Sequence, residues 1–169
     1  MSILKELRDF AIFVEGDFKA QGDEARLPKI AFATDEWIGS GMAAPVEIRQ
    51  HLEKMDCEFT ARGFELAAYQ QLGTNGLGGL GLRFVGAMQK PDTTEVDSVE
   101  FEMRGQHKEV DGGNFKRKEP GQTKVMSTLT QAKLTVNGEE IYFIDAMVGI
   151  ARFNGVDIYS DVRQALGIS

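Results

Sequence analysis

The glycine run Gly76-Leu77-Gly78-Gly79-Leu80-Gly81 has the spacing of a dinucleotide-binding turn. Such a turn cradles a pyrophosphate only where a strand leads in and a helix leads out, because the phosphate rests on the free N–H groups of that helix. Here a helical pattern precedes the glycines and an alternating pattern, Leu82–Gln89, follows, so a helix-to-strand connection is expected. His51 and His107 are the two histidines, and neither has a second ligand at metal spacing. His107, between Arg104 and Lys108, reads as a solvated or hydrogen-bonded residue of a polar turn. Asp111-Gly112-Gly113-Asn114 offers oxygens but lacks the ligand spacing and closing glutamate of a calcium loop, so it also reads as a turn. Glu100 and Glu102 share one strand face, a pattern more typical of a solvated face than of an acid–base pair. No serine or cysteine can be grouped with histidine and a carboxylate. No catalytic residue, cofactor site or metal site is assigned, and an enzyme is not expected.

The elements that carry these residues are mostly strands. In Ser98–Arg104, Val99, Phe101 and Met103 point one way, and Ser98, Glu100, Glu102 and Arg104 the other, as in a half-buried antiparallel strand. Met126–Val136 is a second strand, and Asn137-Gly138 suits a type I′ hairpin turn after it. A regular hairpin would pair Val136 with Glu139, Leu134 with Ile141 and Ala132 with Phe143, placing apolar residues on one face. Further strands are predicted at Phe10–Glu15, Lys29–Ala33, Val46–Gln50, Met55–Ala61, Leu82–Gln89 and Val148–Phe153. A helix is predicted over Gly63–Leu72, with Phe64, Ala67, Ala68 and Leu72 on its apolar side and Gly73 as its cap. A short terminal helix after Asp157 would align Ile158, Val162, Ala165 and Leu166. The expected fold is mainly β: two packed antiparallel sheets forming a sandwich or barrel with one flanking α-helix, in a single domain over residues 1–169.

Composition narrows the classes further. The net charge of −7 makes the chain a poor candidate for gripping nucleic acid, although it could enclose DNA without holding it. The single cysteine, Cys57, excludes an internal disulfide framework and reads as a core or semi-core residue of a protein in a reducing cytosol. No apolar run approaches the roughly 20 residues that span a bilayer. Met1–Phe10 carries four charges and no small-residue cleavage site, so it is not expected to be a signal peptide.

Two segments carry large residues without an obvious core partner. Thr34–Pro45 is Gly-rich yet holds Trp37, Ile38 and Met42, which could fold back onto their own core or be buried against another subunit. Asp111–Thr123 is a long charged loop bearing Phe115 beside Lys116. Both are expected contact segments, with Trp37, Ile38, Met42, Phe115 and Lys116 as interface residues.

The order and spacing of several pieces resemble one family. They are Leu27-Pro28-Lys29, Gly39-Ser40-Gly41-Met42 with Pro45-Val46-Glu47-Ile48, and Met103-Arg104-Gly105 with Lys108-Glu109-Val110-Asp111. Leu134 to Gly138 with Ile144-Asp145, Asn154-Gly155-Val156-Asp157 and the ending Arg163 with Leu166-Gly167-Ile168 complete the set. Together they resemble the major tail tube protein of contractile-tailed bacteriophages and of related phage-tail-like bacteriocins. Trp37-Ile38 and Val148 depart from that pattern.

The resemblance implies six-membered rings that stack into a β-lined tube inside a contractile sheath. The implied partners are other copies of the chain, the sheath protein, and baseplate and tail-terminator proteins, with DNA passing through the lumen without specific binding. It implies a virion component assembled in the cytoplasm of a bacterial host, with no membrane insertion of its own. Within that picture Glu100 and Glu102 are expected to face the lumen. Two other readings remain: a tube subunit of a DNA-free injection particle, and a stand-alone binding barrel or small enzyme with a ligand pocket.

Overall fold

The computed structural model describes residues 5–15, 18–20 and 22–168. The order of elements is β1 (Glu6–Val14), β2 (Phe18–Ala20), β3 (Gly22–Arg26), β4 (Phe32–Trp37), β5 (Val46–Leu52), β6 (Met55–Arg62), α1 (Leu66–Gln71), β7 (Leu80–Gln89), β8 (Val96–Asp111), β9 (Gln122–Val136), β10 (Glu139–Asp145), β11 (Ile150–Phe153), β12 (Val156–Asp157) and α2 (Ser160–Ala165). Strands β8 and β9 are long enough to serve two sheets. Residues Gln122–Leu129 of β9 pair with β6, whereas Gln131–Val136 pair with β10. Strand β8 accompanies β9 along both arms. One sheet therefore runs β12-β11-β10-β9-β8-β7-β1-β2, and the other is β3-β6-β9-β8.

The arms separate at a bulge. Arg104 pairs with Gln131 and Gly105 with Leu129, leaving Thr130 as the extra residue. An extra residue on one strand bends it and raises its twist. Backbones approach closely here: a Cβ on Gly105 would sit 2.0 Å from the Thr128 carbonyl oxygen and 2.9 Å from the Leu129 Cα. Only glycine fits.

Both arms feed one core. Met55, Cys57, Phe59 and Ala61 alternate inwards from β6, and they share a cluster with Ile12, Leu82, Phe84, Met103 and Ile144 of the other arm. The Phe59 and Phe84 rings meet edge to face at 6.1 Å across it. Burial, with the Asp56 charge adding, pushes the Cys57 thiol up to about 12, so it packs and does not react. The fold is the expected β-sandwich. It is not a closed barrel.

Some expected elements lie elsewhere. The strand foreseen at Lys29–Ala33 is β4, Phe32–Trp37, so Thr34 to Trp37 are strand and not loop. In the hairpin after β9, Asn137 and Gly138 have φ of 51° and 82° and Val136 faces Glu139 as the turn dictates. A bulge at Ile141 then places Tyr142 opposite Leu134, and Ile144 opposite Ala132. The expected pairing of Leu134 with Ile141 and Ala132 with Phe143 is therefore incorrect. The slip lets Tyr142 and Ile144 enter the core, with the Tyr142 ring 6.2 Å from Phe153. Phe143 turns outwards instead, beneath the Arg152 guanidinium at 5.0 Å.

Helix α1 is also shorter than the expected Gly63–Leu72. Of its foreseen apolar side only Ala68 is buried, and Gly73 is not among the residues with positive φ. His107 is not in a polar turn. It lies buried on β8, with Nδ1 2.8 Å from Ser127 Oγ and Nε2 3.3 Å from Gln71 Oε1.

The chain's last turn hangs on Asp157. Its Oδ1 accepts from the N–H groups of Ala151 at 3.4 Å and Tyr159 at 3.0 Å, and its Oδ2 meets Arg163 Nη2 at 2.6 Å. The Arg163 hydrogen bond comes first among the causes that hold this carboxyl below the usual range. Gly167, at φ 74°, closes α2 while the Ile168 N–H donates to the Arg163 carbonyl at 3.0 Å. Asp157→Ala strands these donors and is expected to cost about 2 kcal/mol in a urea melt. An unchanged midpoint would show that the network contributes nothing.

Candidate functional site

Three surfaces carry the residues singled out by the sequence. The first is the outer face of the long sheet. Glu100 and Glu102 project there from β8, opposite the inward Val99, Phe101 and Met103, as alternation requires. Strands β7 and β9 bring cations beside them: Glu102 pairs in register with Arg83 and with Lys133. Arg83 Nη1 lies 3.4 Å from Glu100 Oε1, and its guanidinium covers the Phe13 ring at 4.4 Å. Further along, Arg152 binds Glu140 through two 2.8 Å hydrogen bonds, the main cause holding the Glu140 carboxyl below its usual range. The face is charged but mixed, with Glu100 and Glu140 paired to arginines. Nothing here prepares a general acid or a nucleophile.

The second surface is the ribbon β4–β5, a separate two-stranded sheet. Its base is anchored by a run of rings: Tyr142 to Phe153 at 6.2 Å and Phe153 to Phe32 at 6.4 Å, with Arg49 over Phe32 at 4.2 Å. Glu53 N–H donates to the Ala31 carbonyl at 2.8 Å, which fixes the exit. Towards the tip the apolar residues are uncovered. Trp37 is 54% exposed and Ile38 60%, and Val46 and Ile48 stand exposed beside them. Met42 is half-buried in the tip turn, where its Sδ accepts from the Gly39 N–H at 3.0 Å. The Trp37 ring lies on Gly39, where a Cβ would come within 2.8 Å of it. These residues do not fold back onto their own core.

The third surface joins α1 to the loop 112–121. Phe115 is 92% exposed, and its ring lies 6.0 Å from Phe64, which stacks on Tyr69 at 5.5 Å. The loop base is shaped by Gly112, where a Cβ would lie 2.4 Å from the Tyr69 hydroxyl, and by an Asp111 carboxylate accepting from Gly113 N–H at 2.9 Å. Lys116 follows Phe115 and is exposed.

Helical spacing predicts Phe64 on the inner side, yet it is exposed, as are Tyr69, Val46 and Ile48, which the sequence does not single out. Glycines at 63 and 73 bracket a segment too short for a long buried stripe, and Val46 and Ile48 alternate along a strand that faces Trp37. Both signals were present. The glycine run 76–81 leads from α1 into β7, which takes up its last two residues, and its Gly78 carbonyl accepts from Arg104 Nε at 3.0 Å. Among the described residues, no three His, Cys, Asp or Glu side chains group as metal ligands.

The sequence pattern of phage tail tube protein FII matches residues 4–167. The chain belongs to that family. It is a structural phage tail tube subunit and not an enzyme. The tail tube protein of Escherichia phage P2 is 29% identical over 172 residues, covering 99% of this chain and 100% of the relative. The fold extends to more distant structures. A sheath/tube terminator of the PVC extracellular contractile injection system matches with a TM-score of 0.58 at 12% identity, over 79% of this chain and 98% of the other. The tube-terminating cap of the anti-feeding prophage matches with 0.58 at 14% identity, over 80% and 94% of the two chains. The PVC sheath–tube complex contains a chain matching with 0.56 at 11% identity, over 75% and 87%. These three likenesses concern the fold.

Proposed function

We propose that this tail tube subunit forms six-membered rings that stack into the inner tube of a contractile tail, through which DNA passes into the host. The sheath surrounds the tube, and baseplate and terminator proteins hold its ends. The observation that carries this reading is the family match over nearly the whole chain, including a full-length phage relative. The phage origin of that relative favours DNA passage over a DNA-free injection particle. Edge strands β3 and β12 leave backbone groups open to pairing with a neighbouring chain, a liability in a monomer and an asset in a ring.

In the assembled tube, Trp37, Ile38, Met42, Phe115 and Lys116 lie in subunit contacts, and Glu100 and Glu102 face the bore. Support comes from the exposure of the large apolar residues on the ribbon and the loop, and from the outward turn of both glutamates. Six copies would carry a formal charge of −42, six times −7. That net charge repels DNA phosphates, while Arg83, Arg104 and Lys133 temper the field at the glutamates themselves.

Electron microscopy of the purified protein tests the reading, with sixfold rings or tubes as the expected result and a persistent monomer as the refutation. Trp37→Ala should raise the concentration needed for polymerisation about tenfold or more, since buried tryptophans dominate protein contacts. Because Trp37 is half exposed in the subunit, its melting temperature should move little.

A further inference from the structure

We propose that the tip of the β4–β5 ribbon of one subunit docks on the α1–loop patch of a second copy, an acidic apolar plug on a basic aromatic socket. This pairing rests on the assembly reading above and says which surface meets which. Its first ground is charge. Glu36 and Glu47 stand directly opposite each other on one face of the ribbon, Asp35 lies on the other face beside Trp37, and none has an ion pair among the described residues. Like charges in register destabilise a strand pair unless a cation approaches. The ribbon's own arginine, Arg49, lies at its base over Phe32. On the other patch, Lys116, Arg117 and Lys118 are exposed and likewise have no ion pair among the described residues. Each patch holds the counter-charges that the other lacks.

Apolar content is the second ground. Trp37 and Val46 face each other in register at the tip, next to Ile38 and Ile48, and all four are exposed. Phe115, Phe64 and Tyr69 form an equally uncovered aromatic group beside the lysines. Aromatic anchors rimmed by complementary charge are the usual make-up of a protein contact.

Placement is the third ground. Strand β6 starts beside the ribbon's exit, where Met55 pairs with Leu129, and ends beside the loop, where Arg62 pairs with Gln122 and Gly63 N–H donates to Gly121. Its eight residues separate ribbon base and loop by about 23 Å at 3.3 Å per residue. Two different patches at opposite ends of one strand make a heterologous contact, which propagates from copy to copy.

Charge reversal tests the pairing. Glu36→Lys with Glu47→Lys, and separately Lys116→Glu with Arg117→Glu, should each raise the critical concentration for polymerisation about tenfold. All four changes in one chain should bring it back to within about threefold of the unaltered protein, because the contact is re-formed with its signs exchanged. Circular dichroism checks that each variant is folded; all four positions are exposed. Polymerisation unaffected by either pair of changes would overturn the proposal, and so would folded variants that fail singly and are not rescued in combination. Absence of polymers in the unaltered protein would instead overturn the assembly reading from which the pairing follows.

Discussion

Gly105→Val should lower the stability of the subunit by more than about 3 kcal/mol, the upper part of the range for overpacking a closed site. At this chain length that corresponds to a fall in melting temperature of roughly 6–12 °C. The cause is the bulge where the two sheets part. A first side-chain carbon would lie 2.0 Å from a backbone carbonyl oxygen and 2.9 Å from a backbone Cα, and neither atom belongs to a flexible side chain. Relief would require β8 and β9 to move apart at the point where β9 exchanges β10 for β6 and β8 parts from β7. Even alanine should be costly. Gly138 supplies the contrast: a Cβ there meets nothing within 4 Å, and the substitution strains only a backbone at φ 82°. Gly138→Ala should therefore cost about 1 kcal/mol. Equal losses at the two positions would show that close approach at Gly105 is not what holds the junction.

The contrast between those glycines marks what the sequence made legible. Gly138 follows an asparagine between two alternating runs, so its turn could be read locally, and Asn154-Gly155 repeats the same geometry with φ of 51° and 80°. Gly105 shows nothing comparable in its neighbours, because its constraint comes from Thr128 and Leu129 on another strand. The bulge at Ile141 escaped for the same reason: regular alternation favoured Ile141 and Phe143, and the packing of Tyr142 against Phe153 overrode it. Strand β3, Gly-Asp-Glu-Ala-Arg, was missed because only its Ala25 packs against the core. Long-range pairing, not local pattern, set each of these.

The candidate contact surfaces were half legible. Trp37, Ile38 and Phe115 attracted notice because large apolar residues sat in glycine-rich or charged surroundings. Sequence left open whether Trp37 and Ile38 returned to their own core, since a strand and a loop at that position have similar composition. The ribbon resolves that point in the subunit, because its anchoring rings are all at its base. Phe64 misled in the opposite direction: helical spacing implied burial, and a helix of six residues offered only Ala68 to the core.

His107 should make the subunit acid-labile. Burial alone holds its imidazole down at about 4, against the usual 6.5, and its ring nitrogens meet Ser127 and Gln71, both uncharged. The folded form therefore resists protonation while the unfolded chain accepts it. The stabilising contribution is complete above pH 6.5 and is lost as pH falls towards 4. A shift of this size corresponds to about 3 kcal/mol between the two ends of that window. Asp157 and Glu140, whose carboxyls are held low by arginines, add their losses below the normal carboxylate range. His107→Gln separates these contributions, because glutamine can keep a hydrogen bond to Ser127 but takes up no proton. Denaturant melts at intervals from pH 7 to about 4 should show a steep decline for the unaltered protein and a shallower one for the variant, the curves converging at the acid end. Parallel curves would mean that His107 takes up its proton in the folded subunit as readily as in the unfolded chain. The same experiment on assembled tubes would report whether the buried ring, which meets Gln71 of α1 and Ser127 of β9, is further shielded once the loop patch beside α1 is covered.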